Sequence, residues 1–166
     1  MFRIIYAIIF TGISCIFTSE FAISDAIIHK FVALKGKRTN VRAGPGEDYK
    51  IIRVYDKTNM PLEILHRIDN WYMISDYQEK IGWIRVNLVA SGQKKRKAIF
   101  QIDTKLCHTP VVDLQKCIGI ARVDRGIVGT IRSCNKTWCS VILDKYYISG
   151  FAPRKNIWGI TSDEVL

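Results

Sequence analysis

Residues 39–55 read TNVRAGPGEDYKIIRVY and set Arg42, a Gly-Pro-Gly turn, Glu47, Asp48 and Tyr49 between two apolar runs. A guanidinium beside a glycine turn can cradle phosphate or grip a carboxylate at two points, and a tyrosine can stack on peptide or sugar. The phosphate reading fails on spacing. A P-loop needs Gly-x4-Gly-Lys-Ser/Thr between a strand and a helix, and neither the lysine nor a helical pattern follows Gly46. A dinucleotide fingerprint fails as well, because Tyr49 stands where the third glycine belongs. The remaining reading is the first-loop arm of a small barrel, in which Gly44 and Gly46 supply conformations that other residues resist and Pro45 fixes its own φ.

Catalytic patterns were sought and not found. The chain has no G-x-S-x-G, no H-E-x-x-H and no nucleophilic cysteine backed by distant His and Asn. His29, His66 and His108 are scattered, and His66 reads as an exposed strand residue. Glu63, Asp69, Asp76 and Glu79 fit solvated faces and turns. We therefore expect a chain that is not an enzyme and carries no cofactor. Cys107, Cys117, Cys134 and Cys139 fall in the second half with spacings C-x9-C and C-x4-C. These spacings do not give the paired short knuckles of structural zinc sites, so no metal is expected.

The opening residues are set aside before any fold reasoning. Arg3 gives a positive start, residues 4–17 are almost wholly apolar, and Ala22-Ile23-Ser24 offers small residues for cleavage. This order describes a secretory signal over residues 1–24, cut near Ser24, and hence a periplasmic or extracellular protein. With Cys15 inside the signal, the four cysteines left in an exported chain read as disulfides. The formal net charge is +10, which bears on partners rather than fold. An exported basic protein meets anionic surfaces such as lipid headgroups and wall polymers, and no nucleic-acid partner is expected.

After the signal, no helical periodicity of useful length appears. Short alternating runs rich in Val, Ile, Tyr and Trp are separated by turn signals, among them Asp69-Asn70 before Trp71. This is the signature of a small all-β barrel or sandwich. The second half repeats the order. Ile52-Arg53-Val54 falls on Ala121-Arg122-Val123, Asp69-Asn70-Trp71 on the turn before Trp138, and Gly82-Trp83 on Gly150-Phe151. The reading is therefore two tandem barrels, at residues 30–90 and 99–162, joined by a basic linker at residues 91–98. The four consecutive basic residues of that linker, Lys94 to Lys97, are read as solvated and open to anionic surfaces.

NVRAGPGEDYKII, then NWYMI, then GWIRVNLV closely resembles the bacterial SH3-like (SH3b) domain, whose pattern is an Asn-Val-Arg-x-Gly-Pro-Gly opening, a turn-Trp strand and a Gly-Trp before the final strand. The second copy departs from it, with CHTPVVDLQ for the arm and Phe151 for the tryptophan. The resemblance implies a groove beside the first loop, which here would be lined by Arg42, Tyr49, Trp71, Tyr72 and Trp83. Among these, Trp83 after Gly82 reads more readily as core, and Trp71 suits either role. The resemblance also implies a Cys134–Cys139 hairpin bridge, which leaves Cys107 for Cys117 and stiffens the second arm. We expect binding to stay on the first barrel, with the second as a buttress. Family members often act as non-catalytic targeting modules. The expected function is thus an exported binding module for cell-wall (peptidoglycan) peptides or an envelope protein. The alternative is a structural adaptor that associates through its barrels.

Overall fold

The computed structural model describes residues 30–90, 96–161 and 164–165. The signal reading of residues 1–24 lies outside them. The described chain is all-β. Its first half runs β1 Lys30–Leu34, β2 Thr39–Arg42, β3 Ile51–Tyr55, β4 Pro61–Ile68, β5 Trp71–Ser75, β6 Ile81–Arg85 and β7 Val89–Ala90. Its second runs β8 Lys97–Phe100, β9 Thr104–Cys107, β10 Gly119–Val123, β11 Val128–Cys134, β12 Trp138–Leu143, β13 Ile148–Pro153 and β14 Ile157–Trp158.

Each half forms one antiparallel seven-stranded sheet, ordered β3-β2-β6-β5-β4-β1-β7 and β10-β9-β13-β12-β11-β8-β14. The second order is the first shifted by seven strands, so the sequence repeat is a repeat of topology: two tandem SH3-like barrels. Strand alternation explains the cores. In β2, Thr39 and Val41 point inward while Asn40 points out. Val41, Leu62, Ile64, Ile74 and Ile84 fill the first barrel. Phe100, Leu106, Ile131, Val141 and Ala152 fill the second. The hairpin between β4 and β5 turns through Asp69, whose φ of 48° is left-handed, as an Asp-Asn turn permits. In the second barrel Asn135 takes over the turn, accepting from the Thr137 and Trp138 amides at 2.9 and 2.7 Å.

Four expectations are corrected. Asp76 is buried, not solvated, because its carboxylate accepts from the Tyr55 hydroxyl at 2.8 Å and from the Gln78 and Lys80 amides. His66 is half-buried, its ring 6.2 Å from that of Trp83. The linker is shorter than read: β8 begins at Lys97 and Ala98 is buried. Lys97 Nζ lies 2.7 Å from both Thr130 Oγ1 and Asp144 Oδ2, and Arg96 pairs with Glu164, so two of the four basic residues serve the second barrel. Finally, β9 pairs Lys105 with Arg122 where β2 pairs Asn40 with Val54. Val54 therefore matches Arg122, one residue away from the alignment by eye, because the arms before them differ in length, 8 residues between Arg42 and Ile51 against 11 between Cys107 and Gly119.

Candidate binding face

The arm leaves β2 at Arg42 and returns at β3, closed by a 3.0 Å hydrogen bond from the Ala43 amide to the Lys50 carbonyl. Its glycines serve a purpose other than the one expected. Neither Gly44 nor Gly46 has a left-handed φ. Instead the Tyr49 ring lies where their side chains would be: a Cβ on Gly44 would stand 2.4 Å from it, and one on Gly46 3.1 Å. The tyrosine thus closes on the turn, with about half its surface exposed. Arg42 fastens the same arm, its Nη1 donating to the Glu47 and Tyr49 carbonyls at 2.6 and 2.8 Å. The Glu47 carboxylate accepts from Arg85 Nε at 2.7 Å, and the Arg85 guanidinium stands 5.3 Å from the centre of the Trp71 ring.

Strand parity sorts the remaining candidates. Gly82 and Ile84 point into the core, so Trp83 and Arg85 point out. Trp71 lies opposite Arg85 and Met73 opposite Trp83, which puts both on the same outer face. Arg42 lies opposite Trp83 from the other side, and His66 opposite Met73. One row across four strands therefore reads Arg42, Trp83, Met73, His66. Trp83 is half-buried there and is not core. Trp71 is 9 % exposed yet stands outside the core cluster, beneath Arg85. Tyr72 lies opposite Ile84 and packs on the core, so it leaves the site. The face adds Glu47, Arg85, His66 and Met73, which sequence reading missed. The two-residue period from Trp83 to Arg85 could have shown Arg85.

Residues 35–90 match the family model of the bacterial SH3 domain. The first barrel is a bacterial SH3 domain. No curated protein matches the chain. The SH3 domain's arm has a counterpart in the second barrel with a different closure. Cys107 lies opposite Phe151 as Arg42 lies opposite Trp83, and the His108 amide donates to the Ile118 carbonyl as Ala43 does to Lys50. Cys107 thus takes the place of Arg42 and Cys117 that of Tyr49. The clamp of hydrogen bonds in the SH3 domain is a disulfide here, with Cα atoms 5.4 Å apart. Cys134 and Cys139 form the second bridge, across the β11–β12 hairpin. Cys107, Cys117 and Trp138 bury one another on the outer face, with Val111 and Phe151 against them. All four cysteines of this half are used in disulfides, and among the described residues no group of three His, Cys, Asp or Glu is placed to hold a metal. The disulfides fit an extracellular or periplasmic location.

Proposed function

We propose that the chain is a non-catalytic exported binding module whose SH3 domain takes short cell-wall (peptidoglycan) peptides or a peptide of an envelope protein on the face around Arg42, Tyr49, Trp71 and Trp83. One observation carries the reading. Trp83 is held at the surface, outside the core cluster, in a row with Arg42 and His66. A large aromatic that is held at the surface and does not fill the core suits peptide recognition. The net charge of +10 adds attraction to anionic wall polymers.

The test is co-sedimentation with purified sacculi at about 50 and about 300 mM salt, since the screening length shrinks severalfold in molar salt and bulk attraction fades with it. Binding that survives the higher salt and is weakened by Trp83→Ala, with unchanged melting, supports the face. The variant is expected to lose about 1–3 kcal/mol of binding, the range of a contact anchor. Salt-labile binding that ignores Trp83→Ala would leave bulk charge as the explanation. A second reading, a structural adaptor, is favoured by one feature: edge strand β3 exposes Ile51, Ile52 and Val54, and an apolar edge is a template for pairing. Sedimentation of the purified chain over a concentration series separates it from the first reading.

A further inference from the structure

The two barrels enclose a cleft that neither makes alone. Its volume is about 620 Å³, and no residue of either arm lines it. One wall is the β3–β4 turn of the SH3 domain, residues 56–59, with Lys37. The other is the β12–β13 turn of the second barrel, residues 143–146. Ile127 and Val128 add apolar lining. The barrels come together at its edge: a Cβ on Gly126, which also lines the cleft, would stand 3.7 Å from the Tyr77 hydroxyl.

Size and lining choose the ligand. The volume lies in the range of small-molecule pockets, roughly 300–1,000 Å³. Lys37 and Lys57 are exposed and, among the described residues, in no ion pair. Lys145 Nζ stands 5.3 Å from the centre of the Tyr146 ring, which is about half exposed. Asp144, the acid on that wall, is already held by Lys97 Nζ at 2.7 Å and the Thr130 hydroxyl at 2.6 Å. The cleft thus gathers three cations, and all three are lysines. A planar carboxylate favours the fork of an arginine, whereas ammonium point charges suit a phosphate. On the wall facing Tyr146, Asp56 and Asn59 are exposed. They offer an acceptor and an amide to hydroxyl groups. The negative face of an aromatic ring attracts the C–H groups of a sugar.

We propose that this cleft binds a sugar phosphate. The phosphate meets Lys37, Lys57 and Lys145, the sugar ring stacks on Tyr146, and its hydroxyls meet Asp56 and Asn59. The site needs both barrels and shares no residue with the face around Trp83, so either can fail without the other.

The experiment titrates glucose 6-phosphate into the isotopically labelled full chain and follows amide shifts by NMR. Shifts that saturate below about 10 mM are expected on both walls, at residues 56–59 and 143–146. Lys57→Glu and Tyr146→Ala should each weaken binding about tenfold with unchanged melting, and glucose and inorganic phosphate should each bind about tenfold more weakly than the sugar phosphate. The proposal is overturned if the shifts do not saturate in that range, if they stay on one wall, if Tyr146→Ala binds like the parent, or if inorganic phosphate binds as well as the sugar phosphate. Soluble sugar phosphates and phosphorylated glycolipids share this chemistry. Lipid A micelles that displace the bound sugar phosphate would name a glycolipid as its natural source, and micelles without effect a soluble one.

Discussion

Arg42 ends β2 with its guanidinium turned back onto its own arm, and that contact decides how the residue behaves when removed. From sequence it looks dispensable for folding, because an arginine beside a loop is usually solvated. Its side chain is only 18 % exposed and bonds two carbonyls of the arm. Arg42→Ala should therefore destabilise the SH3 domain by about 1–3 kcal/mol, a fall in melting temperature of about 4–8 °C per kcal/mol for a domain of this size. Differential scanning fluorimetry checks it, and a parental melt would show the clamp to be without weight. Tyr55 gives a prediction in pH. Burial, and then the Asp76 carboxylate it donates to, push its phenol well above the ordinary value. The unfolded phenol ionises first as pH rises, so stability is full below about pH 10 and falls above it. Urea midpoints across that range should drop more steeply for the parent than for Tyr55→Phe.

At the scale of the element, the repeat was legible because turn, tryptophan and glycine-aromatic recur in one order, and each mark reports a strand or its end. The register was not, because the second arm is longer than the first and its residue types do not show how the strands on either side of it pair. The side of the sheet was legible in part: Gly82 inward requires Trp83 outward, and Trp71 outward requires Tyr72 inward. The role of Gly44 and Gly46 was hidden, since it depends on where the Tyr49 ring comes to rest. The cleft between the barrels was hidden too, because its walls come from separate barrels, residues 56–59 and 143–146 among them. The disulfides predict a cleavage pattern. Trypsin without reductant should leave residues 106–116 linked to 117–122, and residues 133–136 linked to 137–145. A fragment joining Cys107 to Cys134 would overturn the pairing. Cys107→Ser with Cys117→Ser should cost the second barrel about 2–3 kcal/mol and leave the SH3 domain's melt in place.

For the whole molecule, the barrels touch at several places, among them β4 against β8 and the Phe31 ring of β1, which stands 4.9 Å from the Trp158 ring of β14, edge to face. Such a pair contributes about 0.5–1.5 kcal/mol beyond its buried area. Calorimetry of the parent should show two overlapping transitions. Trp158→Ala should separate them further, because it removes contact between barrels while touching neither central cluster. A single unchanged transition in the variant would mean that the coupling lies elsewhere.

The two arms, alike in position and closed by different means, amount to a pair of clocks in one chain. The Ala43 amide is shielded by a latch of hydrogen bonds, which native fluctuations can open without unfolding the barrel. The corresponding His108 amide sits inside a covalent loop that fluctuation alone does not release. Deuterium should therefore enter at Ala43 well before it enters at His108, and reductant should bring the two rates together. The first arm is the one able to part and re-form around an arriving molecule, and the second keeps one shape throughout.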